Sequence, residues 1–262
     1  YGESDEKFSS PGIEKVLDFF RQGRARRLKR YLPNDASVLD IGCGNGRFLV
    51  YLSRFGNYKL YGTELDGNSA KRAQRHKEIN LKVGMLEGDD FAKNSLDAIT
   101  MFHVFEHLTE PAETLSIIEK ILKPGGFLLM SFPNIASKQS RSFKGNWLHL
   151  DPPRHLFYFA PHTFIKLMKD MGFKLMNEHY LSAEQNPFGM VQSLLNKWSF
   201  KREILFESLK GNKDYIKDVK KRTLFLHKLF FLFSFPFFVI TDVFEEWSGK
   251  SATVEFIFRK NS

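Results

Sequence analysis

Apolar residues near the start of the chain recur at helical spacing, at Ile13, Val16, Leu17, Phe20, Leu28, Tyr31 and Leu32. The opposite face carries Arg21, Arg24, Arg26, Arg27, Lys29 and Arg30, and Pro33-Asn34-Asp35 breaks the pattern. Short apolar runs then alternate with amphipathic stretches. The runs predict strands near 37–41, 58–63, 79–86, 96–102 and 126–132, and the stretches predict helices near 46–55, 67–77 and 112–122. Such alternation predicts an α/β fold with a parallel, doubly wound sheet. Lys123-Pro124-Gly125-Gly126 reads as a stop and turn between helix and strand. Periodicity fades over 133–160 and returns as a helix near 161–171 (Phe164, Leu167, Met168) and a strand near 173–181. A helical insertion covers 189–248, and Ala252 to Phe258 forms a final strand. The pattern divides the chain into a helical cap (1–35), a core (36–188), a Phe-rich helical insertion (189–250) and a returning core strand (251–262).

The chain has 262 residues, a formal net charge of +9 and 28 Phe. That length suits one sizeable α/β domain with an appendage. Positive charge would draw nucleic acid, anionic lipid or phosphorylated substrates, or merely solvate the surface. The single cysteine, Cys43, excludes a disulfide or a cysteine zinc cage within the chain and suits a reducing cytoplasm. No signal-peptide pattern leads the sequence.

Val38-Leu39-Asp40-Ile41-Gly42-Cys43-Gly44-Asn45-Gly46 is an apolar strand entering a Gly-rich turn before a helix. Glycines let the backbone turn sharply and approach a ligand. Dinucleotide enzymes use similar turns, but here the third glycine follows the second by two residues, not three. Asp40 ahead of the turn suits a cationic amine or sulfonium better than a pyrophosphate. Glu64 ends the second strand, roughly 20 residues on, where a carboxylate can accept both ribose hydroxyls.

With VLDIGCGNG, YGTELD, NSLDAITMFHVFEHL and LKPGGFLLMSFPN in order, residues 36–175 resemble the class I S-adenosylmethionine-dependent methyltransferases. The likeness is to small bacterial enzymes related to the ubiquinone-type O-methyltransferases. It implies a Rossmann-like, mostly parallel seven-stranded sheet with an antiparallel last strand, and the apolar helical insertion before that strand. S-adenosylmethionine would be the cofactor and S-adenosylhomocysteine the product. By position, Asp40, Gly42, Gly44 and Gly46, with Ile41 and Cys43 between them, would hold the methionine part, and Glu64 with Leu65 the ribose side. Met85 and Leu86 would lie against the adenine, and Phe102 and His103 would line the cofactor. The family usually has Asp where Met85 stands, so the adenine contact must come from backbone, from a neighbour such as Glu87, or be absent.

Methyl transfer needs alignment in a dry site, and a hydroxyl acceptor needs a base, for which histidine is the usual choice. Glu106 and His107, after the fourth strand, are one candidate pair, the bland alternative being that they only cap and pack the next helix. Some relatives bind a divalent metal with a similar cluster; His103 replaces an acidic member here, so no metal is expected. A second group is Trp147, His149, Asp151, Arg154 and His155, in a loop resembling a subgroup mark, WxxxDPPRHLxxF. Arg154 would hold an acceptor carboxylate or phosphate, and His149 or His155 would be the base. Against this stands a Pro-stiffened loop satisfying its own backbone. Cys43 reads as a packing residue.

Leu224 to Phe244 is apolar, but its uninterrupted part, Leu229 to Ile240, contains Pro236 and is short of the about 20 residues a membrane span needs. A kinked helix pair broken at Pro236 is expected. Four placements stay open: on the sheet, over the acceptor pocket, in a homodimer interface, or as peripheral membrane contact through 224–244 helped by Lys217, Lys220, Lys221 and Arg222. The leading reading is an enzyme methylating oxygen of a small-molecule or lipid-like methyl acceptor, cytoplasmic or membrane-associated. Its rivals are a non-catalytic cofactor-binding interaction or regulatory protein, and a nucleic-acid methyltransferase. Nucleic acid is disfavoured because no Asn-Pro-Pro-Tyr-type motif and no RNA-binding module is present.

Overall fold

The computed structural model describes residues 11–262, with side chains from Asp18 onward, so residues 1–10 of the helical cap, and the side chains of Ile13, Val16 and Leu17, lie outside the described residues. In chain order the elements are α1 (Pro11–Lys29), β1 (Ser37–Ile41), α2 (Arg47–Ser53), β2 (Lys59–Glu64), α3 (Asn68–Ala73) and β3 (Ile79–Val83). Then come β4 (Leu96–Phe102), α4 (Pro111–Ile121), β5 (Leu122–Pro133), α5 (Lys138–Phe143), α6 (Pro161–Asp170) and β6 (Phe173–His179). The chain closes with α7 (Asn186–Trp198), α8 (Ile204–Leu209), α9 (Lys213–Ile216), α10 (Lys221–Trp247) and β7 (Thr253–Lys260).

The seven strands form one sheet in the order β3-β2-β1-β4-β5-β7-β6. β1 pairs in parallel with β2 (Val38 with Leu60) and β4 (Val38 with Ala98), so strand order reverses at β1, where open α/β sheets take ligands. The end of β7 lies beside the starts of both its neighbours. Lys260 Nζ donates to Leu122 O at 3.0 Å and the Asn261 N–H to Gly172 O at 2.9 Å, so β7 runs antiparallel to β5 and β6. β1 and β4 are buried on both faces, which is why they read as mostly apolar runs, interrupted at Asp40, Asp97 and Thr100. One face packs Ala25, Leu28, Leu49 and Leu52 against Leu60 and Ala98. Phe105, Phe132, Phe164 and Phe256 form an aromatic cluster, with Phe132 and Phe164 centred 4.8 Å apart.

The boundaries shift in instructive ways. β5 starts at Leu122, so Lys123-Pro124-Gly125-Gly126 lies inside the strand; the irregularity is taken up by a register shift against β4 between Leu96 and Ala98. Leu167, expected on the apolar face of α6, is exposed, while Phe164 and Met168 are fully buried.

The chain forms two compact units. The sheet unit holds 18–132, 162–178 and 255–262, and the second holds 133–161 with 179–254. Segment 133–161 is tied to α7 by polar contacts that local pattern cannot show. The Leu148 N–H donates to Ser193 Oγ (2.9 Å), Gln139 Nε2 to Asn186 O (2.8 Å) and Asn196 Nδ2 to Asn146 O (3.1 Å). Asn186 Nδ2 donates to Tyr180 O and to Asp242 Oδ1, both at 2.8 Å, and its Oδ1 accepts from Thr253 Oγ1 at 2.8 Å.

The expected kinked pair is corrected: α10 is one 27-residue helix with Pro236 inside it. Phe230 and Phe231 before the proline, and Phe238 after it, share one packing face with Val191, Leu195 and Leu205. That common face holds both halves in one helix despite the lost backbone bond. The expectation that the segment is too short to span a membrane is corrected too. By length and composition α10 is sufficient, with a mean hydropathy of 1.8 over its most apolar 18-residue window, only 6% of it buried.

Candidate functional site

The Gly-rich turn leaves β1 in the left-handed region, with φ 67° at Gly42 and 60° at Gly44. A Cβ on Gly42 would meet Val104 Cγ2 at 2.4 Å, so the turn is seated on the chain leaving β4. A Cβ on Gly44 would meet nothing within 4 Å. The backbone there faces open space, as a close-approaching ligand requires.

Two carboxylates flank the turn. Asp40 is buried and its Oδ1 accepts from Thr100 Oγ1 at 2.6 Å. Burial pushes its carboxyl up to about 7; the Thr100 bond and Arg24 oppose the rise, and Glu64 adds to it. Glu64 Oε2 accepts from the Gly44 N–H at 2.7 Å, and burial raises this carboxyl against bonds from Gly44 and Leu65 and the charge of Arg72. A buried acid pair of this kind is relieved by a ligand carrying fixed positive charge. Cys43 between them is buried, and burial followed by Asp40 and Glu64 drives its thiol far up, so it is inert. Its Sγ lies over Gly62, where a Cβ would come within 2.8 Å.

On the adenine side, Leu65 and Met85 are exposed apolar side chains just beyond β2 and β3. Leu86 lies next to Met85 in a groove with Thr109 and Glu110. Glu87, a candidate replacement for the family's Asp, is already held by Lys82 Nζ at 2.5 Å, and Lys82 also binds Asp90 at 2.6 Å. Phe102 packs edge-on against Phe48 (5.1 Å) and beneath Arg24 (4.9 Å).

After β4, His103 sits at φ 55° with Nδ1 3.4 Å from Oε1 of buried Glu106, while His107 is exposed. The carboxylate lies beside His103, and one of its oxygens is also within 4.8 Å of a ring nitrogen of His107, the histidine with which the sequence pairs it. In the second unit, Arg154 Nη2 pairs with Asp151 at 2.6 Å, and His155 Nδ1 lies 2.8 Å from His149 O, with Asp151 on its other side at 3.8 Å. Tyr158 hydroxyl donates to Leu150 O, and burial raises it, with Asp151 adding to the rise. His149 is buried against Gly189, where a Cβ would meet its Nε2 at 2.7 Å. Arg154 and His155 are thus engaged within their own loop.

A family model described as a methyltransferase domain matches residues 14–178, more than half of the chain. The chain belongs to that methyltransferase family. The ubiquinone biosynthesis O-methyltransferase of Neisseria meningitidis is 28% identical over 132 residues, 47% of this chain and 52% of that protein. A tRNA U34 carboxymethyltransferase of Desulfotalea psychrophila is 23% identical over 189 residues, 68% of this chain and 59% of that protein. The chain thus spans little more than half the length of these curated relatives. A solved S-adenosylmethionine-dependent methyltransferase from Archaeoglobus fulgidus shares the fold, with TM-score 0.57, 18% identity, and coverage of 93% of this chain and 94% of that one.

S-adenosylmethionine is the cofactor of this class I methyltransferase, and its residues fit that molecule: open backbone at Gly44, and acidic groups at Asp40 and Glu64 for a cationic ligand. Sequence reasoning missed Thr100, which holds Asp40, and Val104, which seats Gly42. It also placed the arginines of α1 on the face opposite the apolar stripe without naming their partners. Arg21 pairs with Asp18 (2.8 Å), and Arg24 and Arg27 pair with Glu255 (3.4 and 2.7 Å), a residue more than two hundred positions away.

Proposed function

We propose that the methyltransferase transfers its methyl group to an oxygen of a small or lipid-like acceptor. The observation that carries this reading is the His103–Glu106 pair, Nδ1 to Oε1 at 3.4 Å, at the C-terminal end of β4. When bound, the cofactor supplies a methyl group activated on a sulfonium. Asp40 and Glu64 would hold the cationic and ribose ends, and the open Gly44 backbone would permit their approach. His103 takes the acceptor hydroxyl proton, and buried Glu106 orients the ring and balances the charge it gains. An apolar acceptor also fits the many exposed Phe and Leu residues of the chain. A cytoplasmic location, at or near a membrane, goes with such an acceptor. A nucleic-acid substrate, prompted by the tRNA-modifying relative and the net charge of +9, is disfavoured by the arginines of α1, three of which are committed to Asp18 and Glu255.

The test is transfer of tritium from methyl-labelled S-adenosylmethionine to a prenylated catechol. His103→Gln should cut turnover at least about a hundredfold while changing S-adenosylhomocysteine affinity far less. His107→Gln, His149→Gln, His155→Gln and Arg154→Gln should each leave more activity. Equal transfer by His103→Gln and wild type overturns the base assignment, and incorporation into tRNA alone overturns the acceptor class.

A further inference from the structure

α10 has two faces of opposite fate. One packs on α7 and α8 and carries buried His227, Asp242 and Glu245 beside Phe231, Phe235 and Phe238. The other presents Leu226, Leu229, Phe233, Phe237, Ile240 and Phe244 at three- and four-residue spacing, all exposed, with Phe233 at 74% and Phe237 at 60%. From Leu229 to Thr241 no residue is charged. At 1.5 Å per residue this stripe runs roughly 30 Å, more apolar surface than a monomer ordinarily leaves in water. Trp198, which meets Phe230 edge-on at 5.6 Å, and Trp247, beside Phe244 at 5.5 Å, are also exposed. Tryptophan favours the boundary between hydrocarbon and headgroups.

Charge distinguishes the occupants. Lys217, Lys220, Lys221, Arg222 and Lys228 are all exposed around the N-terminal end of α10. A second copy would set these clusters against the same positive surface or leave them unmatched, whereas an anionic lipid leaflet complements them. Spanning is disfavoured, because α7 would enter the hydrocarbon with Gln192 and Asn196, along with the polar face of α10.

We propose that α10 lies in the plane of an anionic membrane, with its outer apolar face in the acyl boundary and its basic end on the headgroups. This surface goes beyond methyl transfer and does not depend on the acceptor.

The test is flotation of the full chain with phosphatidylcholine vesicles, with and without phosphatidylglycerol. Binding to the anionic vesicles should exceed binding to the neutral ones by about tenfold or more and fall with salt. The triple variant Leu229→Gln, Phe233→Gln, Phe237→Gln should lose binding but keep S-adenosylhomocysteine affinity by calorimetry, which separates loss of the surface from loss of the fold. The triple variant Lys217→Glu, Lys220→Glu, Arg222→Glu should lose the preference for anionic vesicles. Equal flotation of wild type and the Gln variant overturns the proposal. So does a dimer in light scattering that the Gln variant dissociates while wild type ignores vesicles, or wild type resistant to carbonate extraction as a spanning helix is.

Discussion

Thr100 and Asp40 are register partners on β4 and β1, and the threonine hydroxyl donates to the carboxylate at 2.6 Å. This bond supports an acid that burial otherwise drives toward its neutral form, and it leaves the carboxyl poised at about 7. Cofactor binding should therefore be coupled to proton release from Asp40.

Between the unfolded value, 3.8, and about 7, the folded chain holds a proton on Asp40 that the unfolded chain has released. Stability of the cofactor-free protein should therefore fall as pH rises through that window and flatten above it. Glu64, also raised, acts in the same direction. Asp40→Asn should remove most of this slope and raise stability at pH 8 by on the order of 4 kcal/mol, while abolishing measurable cofactor binding. Thermal melts from pH 4 to 8 check the slope. Calorimetry in buffers of different ionisation enthalpy should show proton release on S-adenosylhomocysteine binding at pH 6, with affinity rising toward pH 8.

The turn glycines should separate fold from binding. Gly42→Ala places a methyl 2.4 Å from Val104 Cγ2 and should cost about 2–4 kcal/mol, part of it recovered by Val104→Ala. Gly44→Ala meets no neighbour and should cost only about 1 kcal/mol through its positive φ, yet weaken cofactor binding more. Urea denaturation alongside calorimetry reads both.

Asn186 joins the start of α7 to Tyr180, Asp242 and Thr253. Asn186→Ala leaves these buried groups short of partners and should cost about 2–4 kcal/mol. Urea denaturation measures it, and cofactor affinity in the folded protein should be unaffected.

The amino-acid sequence by itself determined the parallel core and the methyl donor. Mostly apolar runs such as Val38 to Ile41, the positions of Gly42 and Gly44, and acids at the ends of β1 and β2 are local signals, because strand burial, turn conformation and cofactor contact are each decided within a few residues. Only the tertiary structure decided that Thr100 supports Asp40, that Glu255 takes Arg24 and Arg27 of α1, that His103 joins His107 beside Glu106, and that α10 continues through Pro236. The first two rest on strand order and register between distant segments. The third depends on the backbone at His103 taking a left-handed turn, and the fourth on packing against α7 that outweighs the local preference of proline to break a helix.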